Sequence, residues 1–428
     1  MPPRFYGLTA GRSAPTIRPM ASGPFRRLSW LAAALILLQT VGVASAHHGG
    51  RPVGSFLACE RPGVVPPRCT SVGDDLRHSV YFDGTLTPQL GDALRRSLAE
   101  DYDPTDLEAF EVTELTDATD VIAYSQAYGD NGAAAWVYCP RDAPQGENAD
   151  GDRWCRHQEM HFNLDPRYNA FLGDDNSRDH VACHELGHTV GLRHWGNPPT
   201  SDGPNAATCM NADTPNGPTG LHPNDVDHIN AYHYVAPPPS RRMMLVSAPD
   251  ASLASLADPG IDAIEIERHA SLTELTRASD AVVRGTIVNV SPGRAFGDTA
   301  GAALHYAATT IRVDELLSGS LPPTQAREVT LEIPLFGGRD SIEPIEAGLP
   351  GGEAVFFLRN KGTSARDAGM SLAAQQADAA YHRLVMFGAV VANAGGFADA
   401  GGDDLGALAQ LNGVTFDEAI RRVRNAGG

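Results

Sequence analysis

His184-Glu185-Leu186-Gly187-His188-Thr189-Val190-Gly191-Leu192-Arg193-His194 is the stretch around which the rest of the chain can be ordered. Apolar spacing predicts a helix over 178–192. On that helix His184 and His188 stand four positions apart, about 400° of rotation, so both imidazoles project from one face. Two neutral imidazoles so placed grip one Zn²⁺ at about 2.0–2.1 Å each. Glu185 follows directly and points beside the metal rather than onto it. There its carboxylate is placed to take a proton from water, the role of a general base. His194 would fall on the far side if the helix simply continued, because six positions are about 600°. Gly191 removes that difficulty: glycine accepts the left-handed conformation that ends a helix, and the turn brings His194 back as a third ligand. Three protein ligands leave the fourth position for water, as in catalytic rather than structural zinc sites.

Two later stretches extend the pattern, Cys209-Met210-Asn211 and Asn224-Asp225-Val226-Asp227-His228-Ile229-Asn230-Ala231-Tyr232. Together with 184–194 they resemble the metzincin clan of zinc endopeptidases, whose signature is the two-His helix, the glycine, a third His and a methionine turn. The resemblance implies an α+β fold: a mixed twisted sheet with an active-site helix, followed here by a small β-barrel or sandwich domain. It implies a secreted enzyme that cuts peptide bonds with one catalytic zinc, and it makes Met210 the apolar floor of the site. The stretch 224–232 is similar to the closing helix of matrixin-like domains, where Asp225 and Asp227 would brace the methionine turn or the mature N-terminus. By themselves these two residues read equally as first-turn acids favoured by the helix dipole. The clan brings His184 and Met210 together, which implies a Cys183–Cys209 bridge worth about 2–4 kcal/mol.

Within the same resemblance, 158–164 is the edge strand that pairs with an extended substrate. An ordinary sheet strand has the same alternation. Ala212 departs from the pattern, since some metzincin families place there a tyrosine that helps stabilise the oxyanion. Pro67-Arg68-Cys69 resembles the start of the matrixin cysteine switch, but Thr70-Ser71-Val72-Gly73-Asp74 does not continue it. A Cys59–Cys69 disulfide is the expectation instead.

Around this centre the chain divides chemically. Its six cysteines, Cys59, Cys69, Cys139, Cys155, Cys183 and Cys209, all precede residue 210. An even number in an exported chain suggests full pairing. Cys139 and Cys155 flank a polar, Gly-rich loop, so a bridge across it is geometrically natural. Export is read from Arg26-Arg27, the apolar run 28–44 and the small-x-small site Ala44-Ser45-Ala46, which make 1–46 a signal peptide. A retained anchor, or a twin-arginine signal, is the alternative reading of the same residues. The catalytic domain is then 47–235, a Pro-rich linker 236–261, a β-rich domain 262–394 and a tail 395–428 ending in a helix.

Hydrophobic residues make up 42% of the 428, enough for real cores, and the net charge is −19. Such a balance argues against nucleic acid, which rewards clustered Lys and Arg. Only Lys361 is lysine, and 29 acidic residues against 12 basic ones over 47–235 carry most of the charge. The expected partner is a protein or peptide substrate, with no stable membrane insertion once the signal is removed. The acidic stretches 146–152 and 173–179 hold carboxylates of the type Ca²⁺ takes, but solvated loops hold them too, so no calcium is assigned. His157, His161 and His180 read as core or surface histidines.

In the first domain, strands are expected at 78–82, 121–125, 136–139 and 158–164, with a helix at 87–98. In the second, strands are expected at 281–290, 306–314, 328–333, 354–358 and 381–391, after a capped helix at Ser271. That pattern resembles small bacterial β-barrel accessory domains and the barrel of metalloproteinase inhibitors. The second likeness implies a domain that covers the cleft in cis; the expectation from the residues themselves is an accessory or binding module. Two other functional classes fit the sequence: an exported binding or adhesion protein with a vestigial zinc site, and a zinc hydrolase of a non-peptide bond.

Overall fold

A computed structural model describes residues 72–140, 143–147, 153–194, 208–211, 215–231, 262–297, 303–336, 342–400 and 406–428. The expectations for the signal, Cys59, Cys69, Ala212 and the linker lie outside these residues. All described residues belong to one compact unit, Pro52–Gly428.

The first sheet grows from β1 (Arg77–Phe82), β2 (Glu108–Val112), β3 (Val121–Gln126) and β4 (Ala133–Tyr138). A small hairpin, β5 (Gln145–Glu147) and β6 (Arg153–Cys155), precedes β7 (Gln158–Asn163). The last strand, β8 (Asp262–Glu265), arrives from beyond the linker. Spatial order is β2-β1-β3-β7-β4-β8. The first four run parallel, while β4 is antiparallel to both β7 and β8. Parallel strands need cover on both faces: Val121, Ala123, Met160 and Phe162 are buried on one, Ile122 and His161 on the other.

That order corrects one expectation. β7 is an interior strand between β3 and β4, not the sheet edge. Its polar alternation is misleading, because Gln158, His161 and Asn163 are buried and hydrogen-bonded. Gln158 Nε2 donates to Thr189 O at 2.9 Å, and Asn163 Oδ1 accepts from Tyr128 N at 2.9 Å. The strand that closes the first domain's own part of the sheet is β4.

Helix α1 (Pro88–Ser97) starts where Thr87 Oγ1 accepts from Leu90 N and proline occupies the first turn, and it buries Leu90 and Leu94. After the short α2 (Asn169–Leu172) comes α3 (Asp175–Thr189), which carries the histidines, and later α4 (Pro223–Ala231).

The second sheet follows α5 (Leu272–Ala278), whose Ser271 cap accepts from Glu274 N at 3.2 Å. Its strands are β9 (Ala281–Phe296), β10 (Leu304–Gly319), β11 (Glu328–Leu335), β12 (Glu353–Asn360), β13 (Tyr381–Leu384), β14 (Val390–Ala394) and β15 (Phe397–Asp399). Helices α6 (Ile342–Gly348), α7 (Lys361–Asp367), α8 (Leu372–Asp378) and α9 (Phe416–Gly427) complete the chain. β13 pairs in parallel with β11 and antiparallel with β12, so the pairings β9, β10, β11, β13, β12 return to β9. The expected single strand over 381–391 is two strands. Gly388, at φ 74°, breaks it, and the two pieces share one side of β12: β14 lies against Ala354–Phe356 and β13 against Leu358–Asn360. Among the described residues, no helix is long and apolar enough to cross a membrane.

Candidate metal centre

Helix α3 begins three residues earlier than its apolar spacing suggests, because Asp174 caps it. Asp174 accepts from Ser177 N at 3.0 Å and from Ser177 Oγ at 2.8 Å, bonds that hold its carboxyl below the usual carboxylate range. Asp175 pairs with Arg178 at 2.6 Å and Asp179 with Arg96 at 2.5 Å. The acidic stretch at 173–179 is thus a cap and the opening turns of a helix, with its carboxylates engaged by the protein.

The other end of α3 closes as the glycine requires. Gly191 sits at φ 91°, Leu192 N donates back to Gly187 O at 2.8 Å, and Gly191 N donates to His188 O at 3.0 Å. These two bonds satisfy the last carbonyls of the helix in a Schellman turn. The chain then reverses and carries His194 to the other two histidines. One donor atom from each of His184, His188 and His194 lies within 4.8 Å of the others. His188 Nε2 is 2.9 Å from His184 Nε2 and 3.1 Å from His194 Nε2.

The tautomers follow from the opposite sides of two rings. A carbonyl only accepts, so His184 Nδ1 donates to Cys209 O at 2.7 Å and His188 Nδ1 donates to Leu192 O at 2.7 Å. That leaves the Nε2 atoms of these rings as lone pairs turned toward one another. Burial, with His188 close by, pushes the His184 pKa well below its ordinary value, which keeps the ring neutral. Convergent nitrogen lone pairs repel unless a cation sits among them, so the donor set fits a metal ion of the zinc type. Glu185, fully buried, stands next to His184 on the same helix.

Met210 is buried against the histidine helix at Gly187, and the glycine is the reason it fits. A Cβ on Gly187 would lie 2.3 Å from Met210 Sδ and 3.0 Å from Tyr102 Oη. Tyr102 itself donates to Cys183 O at 2.7 Å. The turn is braced from α4: Thr208 Oγ1 donates to Asp225 Oδ2 at 2.5 Å and accepts from Met210 N at 3.1 Å. Both readings of Asp225 hold, since it is an acid in the first turn of α4 and also binds Thr208 of the turn that carries Met210, while Asp227 lies exposed on α4. Cys183 is bonded to Cys209, which ties helix to turn, and Cys139 to Cys155.

No protein-family model matches the chain, and neither does any curated protein. Among solved structures the chain is similar to High choriolytic enzyme 1, a hatching-enzyme zinc-protease from Oryzias latipes (medaka fish). The match has 14% identity and a TM-score of 0.23, over 38% of this chain and 92% of that one. The functional reading therefore stands on the site's own geometry.

Three further histidines serve the scaffold. His161 is enclosed by aromatic rings, stacked on Trp136 with centroids 5.0 Å apart. His180 Nδ1 donates to Pro218 O at 2.6 Å, and His157 bonds the carbonyl of Thr116 at 2.8 Å. Sequence reasoning missed Tyr102, Thr208 and Asp174 at this centre; only Asp174 had a signal, a capping acid three residues before Ser177. It also missed Arg268, whose Nη2 lies 3.4 Å from His194 Nδ1 although the two are far apart in sequence.

Proposed function

We infer that this chain is an exported zinc-dependent endopeptidase, with 47–235 as its catalytic domain and a small barrel after it. The observation that carries the reading is the convergence of three buried or half-buried imidazoles with Glu185 beside them. His184, His188 and His194 would hold the ion. Zinc bound there supplies a Lewis acid for the scissile carbonyl and lowers the pKa of water toward about 7. Glu185 takes a proton from the attacking water and passes it to the departing amine. Burial of Glu185 keeps that proton from leaking to solvent. The carbonyls of Cys209 and Leu192 hold two of the rings in the ligating tautomer, and Met210 supports them from below. The cyclic pairing of β9 to β13 supports the barrel reading of the second domain. The apolar run before Ala46, together with the paired cysteines, supports export.

The test uses the mature chain from His47, with zinc quantified and casein or mixed-peptide cleavage measured. Glu185→Ala should keep about one zinc per chain and lower cleavage by about 10²–10⁴. His184→Ala should lose the zinc. A wild-type chain that binds no zinc, or measurable cleavage that survives undiminished in Glu185→Ala, sinks the reading.

A further inference from the structure

The sheet edge beside the metal centre is already taken. β4 would be the exposed edge of the first domain, and an exposed edge is where an extended peptide adds a strand. β8 fills that place: Ala263 stands opposite Trp136, Ile264 opposite Ala135 and Glu265 opposite Ala133. Past the strand, Ile266 N donates to Gly132 O at 3.0 Å. Both β4 and β8 lie alongside α3. Ile264 is wholly buried in the same core as Cys183, Leu186 and Met210. Two residues beyond Ile266, Arg268 brings its guanidinium to 3.4 Å from His194. A single extended segment thus runs down the edge strand and on to a ligand of the metal centre. A peptide bound for cleavage would need that path.

The segment is clamped from its other side. Glu267 accepts from Arg359 at 2.7 Å and from Arg383 at 3.2 Å, both on the second sheet. Arg383 also donates to Asp130 at 2.7 Å, just before β4. Tyr306 Oη donates to Tyr128 O at 2.9 Å, and Phe336 packs edge-on against Trp136 with centroids 5.4 Å apart. These contacts fix the second sheet against the strand that β8 covers.

We propose that residues 262–268 are an inhibitory segment built into the chain, occupying the strand position of an extended peptide substrate so that the enzyme is latent until the segment leaves β4. The proposal rests on the peptidase reading, and its test separates the two. The probe is the chain's own segment, a fluorescein-labelled peptide of residues 262–269, added to the mature full-length protein carrying Glu185→Ala. Ile266→Pro removes the donor to Gly132 O and suits an extended chain. Arg268→Ala, on an exposed residue, spares the fold. The wild-type edge should take up no peptide, the Ile266→Pro edge should bind it, and the amides of residues 133–138 should exchange faster in that variant. With Glu185 restored, Ile266→Pro should raise kcat/KM on a casein peptide at least tenfold, and Arg268→Ala should raise it severalfold. Wild type binding the probe as well as Ile266→Pro overturns the proposal, as does a folded Ile266→Pro chain that binds none. Probe binding gained without cleavage by any variant keeps the occluded edge and removes the peptidase. Equal cleavage by wild type and both variants removes the occlusion and keeps the peptidase.

Discussion

The two sheets solve the problem of buried polar groups in opposite ways. Around the second sheet, every charge of the central network meets its counter-charge inside the protein. Lys361, wholly buried, donates to Glu332 at 2.8 Å; Arg294 binds the same carboxylate at 2.6 Å and Asp378 at 2.6 Å. Burial pushes the Lys361 pKa down, opposed by Glu332 and Asp130, while Arg294 and Lys361 together hold Glu332 low despite its burial. Beside the first sheet, three imidazole nitrogens face one another, a donor set that fits a cation from outside. There the chain uses covalent bonds: both described disulfides are in the first half, one of them joining the histidine helix to the turn beneath it. A region that satisfies its own charges holds its shape unaided. A region that keeps lone pairs aimed at a ligand has to be held from behind.

The largest predicted effect breaks the comparison at the point where the halves meet. Asp130 is wholly buried between Arg383, at 2.7 Å, and Arg167, at 3.7 Å. Burial alone would raise its carboxyl; Arg383, Lys361 and Arg167 overcome that and hold it low. Asp130→Ala would take one counter-charge from each of two buried guanidiniums, a loss of about 3–5 kcal/mol. Arg383 keeps Glu267 and Arg167 keeps Asp165, so the low end is expected. Denaturant titration should show it, with faster amide exchange in β4 and β13 together. A loss under 1 kcal/mol would mean that the second sheet does not depend on this contact.

The next effect separates the halves. Replacing Cys183 and Cys209 by serine should cost about 2–4 kcal/mol. It should also loosen the His184 bond to the Cys209 carbonyl, so zinc affinity should fall with stability. Exchange in β9 to β12, which holds no cysteine, should be unchanged. If those strands loosen equally, the staple serves the whole chain rather than the metal centre.

What the sequence made legible follows the range of each interaction. The spacing of His184, His188 and His194, the turn at Gly191 and the cap at Ser271 are local, so pattern and rotation sufficed. Arg178 looked like the start of α3 only because the Asp174 cap precedes the apolar rows. Nothing local marks β8. Four residues, Asp262-Ala263-Ile264-Glu265, become a strand because β4 offers them an edge, and the same ambiguity hid the interior position of β7 behind its buried polar residues. The network of Asp130, Arg167, Arg294, Glu332, Lys361 and Asp378 joins residues far apart in sequence, and no spacing announces it.

Acid should sharpen the comparison, by the smallest margin. His78 lies under the end of α3, donating to Thr189 Oγ1 at 2.8 Å, since that hydroxyl gives its own proton to Leu186 O. Burial pushes the His78 pKa down to about 4, and in the second half burial pushes His382 down to about 4 as well. Each unfolded imidazole takes up a proton near pH 6.5 while the folded one resists until about 4. Their stabilisation is therefore whole above 6.5 and drains as pH falls through that window, about 3 kcal/mol for each ring. The first half has a counterweight. Burial, with Asp120 beside it, raises the Asp74 carboxyl to about 6. Its folded form gains a proton between about 6 and 3.8 that the unfolded chain does not yet hold, so it adds stability as pH falls. Between pH 6 and 4, β13 should then lose protection before β1, by about 1–2 kcal/mol, the two-unit rise of Asp74 discounted for solvent screening. Exchange of the β13 and β1 amides at matched pH measures the gap, and Asp74→Asn should close it. If the two strands open together in wild type, the buried carboxyl gives the first half no advantage in acid.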